Sequence, residues 1–132
     1  MERYEKKKYL RSYNGTLEYI QKLKEQYEEI YTEATKIVPT LSDMPSSNVH
    51  DDKVILYVAK MAEIQKKIDR AKKKIARIDR ELAKLKPFHF RIINDIDIKG
   101  FSVASVAHNM KIAEQNIRRT RNRIIDRMFE NG

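Results

Sequence analysis

Apolar residues recur along most of this chain at intervals of three and four, the period of helices that pack along one stripe. The first run is Tyr13, Leu17, Ile20, Leu23, Tyr27, Ile30, Ala34 and Ile37, and it predicts a helix from Glu2 to about Lys36. Asn14-Gly15 lies inside it. The run crosses the pair in phase, so a continuous helix is expected, with the glycine costing about 1 kcal/mol. The other reading ends a short helix there and caps the next with Thr16. Val38 to Asn48 holds Pro39 and Pro45 among Ser, Thr, Asn and Asp, which predicts a loop, pinned back by Leu41 and Met44. A second run, Val54, Val58, Met61, Ile64, Ile68, Ala71, Ile75, Ile78, Leu82 and Leu85, predicts a helix from about His50 to Lys86-Pro87. Asp51 and Asp52 favour its N-terminal dipole.

Two such helices joined by a loop fold most simply as an antiparallel hairpin about 50 Å long. Its two-stripe core is thin, so a second apolar edge is expected to be buried against a twin. Tyr19, Tyr31, Leu56 and Tyr57 lie off the stripes and are candidates for that contact. After Pro87 the pattern changes. Phe88-His89-Phe90-Arg91-Ile92 alternates like a strand, yet Phe88, Ile92, Ile93 and Ile96 also fit a short helix. No partner strand is visible, so a helix is expected, with a turn at Ile98-Lys99-Gly100-Phe101. The fold class is therefore all-α, with a hairpin arm over 1–86 and a small domain over 87–132.

Composition adds a partner class. Lys and Arg number 28 against 19 Asp and Glu, a net charge of +9, which is a footprint for a polyanion. Charge alone leaves nucleic acid, an anionic membrane and an acidic protein open. Cysteine is absent, which excludes disulfides and thiolate metal sites and fits the cytoplasm. No run is long and apolar enough to span a membrane, and the basic start is not followed by the apolar core of a signal peptide. His50, His89 and His108 lack metal spacing. The carboxylates alternate with lysines along helix surfaces, and no glycine-rich phosphate loop occurs. No catalytic residue, metal or cofactor is expected, and the chain does not read as an enzyme.

The segment from Gly100 to Met128 carries the functional signal. Ser102 is a good N-cap for a two-turn helix with Val103, Val106 and Ala107 on one face. Met110-Lys111-Ile112 forms a turn, and a second helix begins near Ala113 with Ile117, Thr120, Ile124, Ile125 and Met128 inward. A small residue at the crossing, an apolar residue in the turn and another a few positions later are the signature of a helix-turn-helix. The outer face of the second helix reads Glu114, Gln115, Arg118, Arg119 and Asn122, with Arg121, Arg123 and Arg127 beside it. Gln and Asn can pair with adenine and Arg with guanine, while surrounding cations hold phosphates. The candidate DNA-binding residues are Ser102, Lys111, Glu114, Gln115, Arg118, Arg119, Asn122 and Arg123. The plainer reading is a solvated basic face on a packed terminal helix.

Phe101-Ser102, Val106-Ala107, Met110, Ile112-Ala113, Ile117-Arg118 and Ile124-Ile125 together resemble region four of bacterial sigma factors. The whole chain, with Ala34-Thr35-Lys36 and Thr40-Leu41-Ser42-Asp43-Met44-Pro45, resembles the ArpU/RinA-type phage late transcriptional regulators of Gram-positive bacteria. The resemblance implies a dimeric DNA-binding activator that meets promoter DNA and host RNA polymerase in the bacterial cytoplasm, with Gln115 and Arg118 at the base-reading positions. The chain departs from the sigma pattern at Lys111, where Gly is common, and at Glu114-Gln115, so no target sequence carries over. Two alternatives remain at this level. One is a small-terminase-like packaging subunit. The other is a helical adaptor in which the motif is only packing.

Overall fold

The computed structural model describes residues 1–43 and 48–130, with backbone alone over 37–43 and 48–51. Among the described residues every regular element is helical. The elements are α1 (Arg3–Arg11), α2 (Tyr13–Asp43), α3 (Asn48–Ala83), α4 (Pro87–Ile93), a π-helical turn (Asn94–Ile98), α5 (Val103–Met110) and α6 (Glu114–Arg127). The all-α expectation holds, including the helical choice after Pro87. Contacts divide the chain into a unit of Met1–Thr16 with Lys74–Gly132 and a unit of Leu17–Lys73. This division differs from a boundary at Lys86, because α1 and the end of α3 pack with the C-terminal helices.

The first of these units holds two apolar clusters. One gathers Leu10, Ile78, Leu82, Ile93, Ile124, Ile125, Met128 and Phe129. The other gathers Ile92, Ile96, Val106, Ala107 and Ile117. Successive residues on a helix point about 100° apart, so Ile92 and Ile93 on α4 each feed a different cluster and tie them together. Pro87 begins α4, where its missing N–H is no loss. The chain ends are fastened to this core. Arg3 donates two hydrogen bonds to the Asp126 carboxylate, at 2.8 and 2.7 Å, and Lys6 Nζ donates to the Asp126 carbonyl. Phe129 turns left-handed at φ 62°, donates its N–H to Glu81 and meets Tyr9 edge to face at 5.1 Å. Sequence periodicity did not single out Phe129, because it lies beyond the last helical turn.

The first helix is interrupted at Ser12, and the helix runs unbroken through Asn14-Gly15. The Ser12 hydroxyl donates to the Tyr9 carbonyl at 2.6 Å, a local bond that competes with the helical ladder. Asn14 donates to the Ile98 carbonyl and Tyr13 to Asp79, so this bend is also a tether within the unit.

In the second unit α2 and α3 each bury one stripe. Among the described residues the buried ones are Ile20 and Leu23 on α2, and Ile64, Ile68 and Ala71 on α3. The stripes differ from the sequence reading in one register step on each helix. Leu17 and Val58 are exposed, while Thr16 and Tyr57 are half-buried. The α2 stripe, followed back into the first unit, is thus Tyr13, Thr16, Ile20, Leu23, Tyr27, Ile30 and Ala34. The α3 stripe starts Val54, Tyr57, Met61, Ile64, Ile68 and Ala71. Both alternate three and four throughout, the strict heptad phase, which keeps polar Thr16 inside and pushes Leu17 out. Tyr57 thereby leaves the set of off-stripe residues, whereas Tyr19, Tyr31 and Leu56 stand exposed as expected.

The loop expected from Val38 is corrected over 38–43, where α2 continues to Asp43. Pro39 cannot donate to the carbonyl four residues earlier, so the helix passes it with one bond missing. Met44 and Pro45 lie outside the described residues, as does the expected pinning contact of Met44.

Candidate nucleic-acid interface

The segment from Ser102 onward is built by local chemistry. Ser102 is extended, and its hydroxyl accepts the Ser105 N–H at 3.0 Å, the capping bond expected of it. At the other end of α5, Lys111 is left-handed at φ 58° and ψ 43°. Its N–H donates to the His108 carbonyl and the Ile112 N–H donates to the Ala107 carbonyl, the paired bonds of a Schellman motif. Ile112 packs against the cluster holding Ala107, the hydrophobic contact that accompanies this cap. The turn therefore forms around lysine where glycine would be unstrained. Gly100, at φ 83°, supplies a further left-handed position, before α5.

Two further interactions hold the first half of α6 in place. Ile117 is fully buried with Val106 and Ala107, so α5 and α6 meet at a small side chain. Four residues on, Arg121 lies in the interior and is clasped by Asp97 through two hydrogen bonds of 3.0 and 2.6 Å. Sequence reading set Arg121 beside the outer face, and the structure corrects this. Arg121 lies between Ile117 and Ile125 at steps of four, which puts it on the inward stripe of the helix. That spacing was the signal available for it. Asp97 carried none, since only the π-helical turn brings it under α6. Lys7 is held below the ordinary lysine range, first by burial and then by repulsion from Arg121.

The candidate residues take the following places. Ser102, Lys111, Glu114, Gln115, Arg118, Arg119 and Arg123 are exposed and Asn122 is half-buried. At about 100° per residue, Gln115, Asn116, Arg119 and Arg123 fan over the face opposite Ile117 and Arg121. Arg118 and Asn122 flank one side of it. Arg118 reaches Glu114 at 3.4 Å across an exposed pair of little strength. Ser102 spends its side-chain oxygen on the cap and Lys111 stands at the turn. Asn116, exposed in the first turn of α6, was missed although its amide suits base edges. Ala113 precedes α6 without a side-chain cap, leaving first-turn N–H groups without an intrahelical partner beside these donors.

Compared with protein-family models, curated proteins and solved structures, the chain matches none. The chemistry of the site thus stands by itself. Among the described residues no group of three His, Cys, Asp or Glu is placed to hold a metal ion, and no helix is long and apolar enough to cross a membrane. His89 is half-buried beside Phe88, and His108 is exposed. What the arrangement offers is a short rigid helix with amide and guanidinium donors on its free face.

Proposed function

We propose that the protein is a sequence-specific DNA-binding transcriptional regulator, in which α5 and α6 form a helix-turn-helix and α6 enters the major groove. The observation that carries this reading is the free face of α6. Gln115, Arg118, Arg119, Asn122 and Arg123 combine amide and guanidinium donors on one short helix whose opposite face is buried. An unspecialised solvated helix would more often carry Lys and Glu alone. Lys111 and the excess of cations supply phosphate contacts, which position the helix without reading sequence.

The rest of the reading rests on the heptad stripes and on the residues that resemble known regulators. α2 and α3, each with one continuous stripe, form an antiparallel hairpin arm. A homodimer through such an arm would present two reading helices to a two-fold promoter site. The likeness to sigma region four and to the ArpU/RinA-type regulators adds RNA polymerase as the second partner and late-gene activation as the outcome.

The test is selection of bound duplexes from a random pool, followed by affinity measurements on the selected site at several salt concentrations. A specific site is expected, with an affinity that falls steeply as salt rises. Gln115→Ala and Arg119→Ala should each cost about 1–3 kcal/mol on that site and relax the preference at one base position. Negligible binding at low salt would sink the proposal, as would unchanged binding by both variants. Mass in solution separates the dimer from a large ring of the packaging type.

A further inference from the structure

A cleft of about 480 Å³ opens beside α6, between its C-terminal half, the last turn of α3 and α4. Its apolar lining comes from Leu85, Phe88, Ile124 and Met128. Phe88 is 44% exposed at the edge of this lining. Cations stand on two sides, Lys84 and Lys86 ahead of α4 and Arg123 and Arg127 on α6. Among the described residues Glu81 is the one carboxylate in the lining, and both its oxygens are engaged. One accepts the Phe129 N–H at 2.8 Å and the other meets Lys84 at 3.3 Å. Among the described residues Arg123 and Arg127 have no ion-pair partner.

We propose that this cleft is a docking site for an acidic segment of a partner protein, one that inserts a single large apolar side chain between flanking carboxylates. The cavity is of a size for one or two side chains, and its floor is apolar. Its uncompensated charge is positive, so the complementary ligand is negative around an apolar centre. Arg123 and Arg127 lie one helical turn apart, about 6 Å along α6. That spacing matches carboxylates four residues apart on an amphipathic helix. Duplex DNA fits less well, because a phosphodiester strand has no apolar body to fill the floor. A free phosphate fits less well too, because the cations come from separate elements and the lining has no glycine-rich loop of amide donors.

The proposal deepens the regulatory reading by giving the protein a second contact surface, but the cleft binds or fails to bind whether or not α6 reads DNA. The experiment titrates the full chain into a panel of fluorescein-labelled synthetic helical peptides. Each carries glutamates four residues apart around one leucine or phenylalanine. Matched controls replace the apolar residue by alanine or the glutamates by lysines. Binding is expected for the acidic apolar peptides and loss of roughly tenfold or more in each control. Phe88→Ser should reproduce that loss while leaving affinity for a selected duplex within about threefold and the helical circular dichroism unchanged, and Arg127→Glu should weaken the peptide by a larger factor than the duplex. The two substitutions fail independently, one removing the apolar surface and the other the charge. The proposal is overturned if no peptide of the panel binds, if the alanine control binds equally, or if both variants bind the peptides like the parent. It is also overturned if Arg127→Glu weakens the duplex as much as the peptide, since the cleft would then be part of the DNA surface. Peptide binding without duplex binding would uphold this proposal and remove the DNA reading.

Discussion

The two units of this chain are built from similar helices but differ in how they bury them. In the unit of 1–16 and 74–132, five elements of five to fourteen residues (the π-helical turn included) converge, with the end of α3, on two joined clusters. Its side chains include Leu10, Ile78, Ile92, Ile93, Ile117 and Ile125, all withdrawn from water. In the unit of 17–73, two long helices bury five of the described residues on narrow stripes and leave Leu17, Tyr19, Tyr31, Ile55, Leu56 and Val58 exposed. Length and regular periodicity do not make a thick core. A helix buries more than one stripe only when several neighbours surround it, and short helices at varied angles achieve that. The difference bears on the proposed function, because the free face of α6 is carried by the unit with the deeper core. Geometry held to a fraction of an ångström is what base reading requires.

The largest expected effect probes the buried ion pair. Asp97→Ala leaves Arg121 charged and unpaired in the interior and should cost about 3–5 kcal/mol in chemical denaturation. Asp97→Leu with Arg121→Met should recover most of that loss. If the single variant were nearly neutral, the pair would not be what fixes α6. Next comes Ile125→Ala, with an expected cost of about 2–5 kcal/mol from lost burial and the cavity left behind. Ile68→Ala in the other unit should cost less, because a two-stripe core relaxes into the space. Equal losses at the two positions would erase the contrast drawn here. Native-state hydrogen exchange addresses the same contrast without mutation. Amides of α5 and α6 should exchange near the global limit, and those of residues 17–36 through smaller openings.

Lys111→Gly is expected to act in two directions. It removes the strain of a left-handed lysine, a gain of about 0.5–1 kcal/mol after the glycine entropy is set against it. It should also lower the salt dependence of DNA binding by about one phosphate contact. Leu56→Ala, at an exposed site, should change monomer stability by about 0.5 kcal/mol or less. A larger loss that grows with protein concentration would show that a twin covers this face. The smallest effect is on pH. The Arg3 guanidinium holds the Asp126 carboxyl below the usual carboxylate range. A carboxylate lowered on folding stabilises above its unfolded pKa, and the gain fades as pH falls through the folded value. The pair is solvent-exposed, so acid should loosen the chain start only slightly, as read by exchange of α1 amides at low salt.

Local chemistry made much of this molecule legible before its structure. The capping bond of Ser102, the left-handed turn at Lys111 and the inward faces of Val106 and Ile117 follow from nearest neighbours and helical period. So do the exposed positions of Gln115, Arg118 and Arg119. The heptad stripes were legible too, apart from one step at Leu17 and one at Val58, where hydrophobicity outweighed phase in the reading. At Arg121 charge alone suggests exposure, whereas its spacing from Ile117 and Ile125 points inward.

By itself the sequence determined the all-helical class, the stripes and the composition of the outer face of α6, since each depends on residues within one or two turns. Only the tertiary structure decided which distant segments share a core. It brought α1 against α6 across more than a hundred residues. It also set Asp97 under Arg121 and fastened Phe129 to Glu81 and Tyr9. Those contacts join groups far apart in the chain, and their strength depends on desolvation and on the geometry of several helices at once. No local pattern encodes that geometry. The unpaired cations and apolar floor beside Phe88 belong to the same class, because a cleft exists only where helices meet.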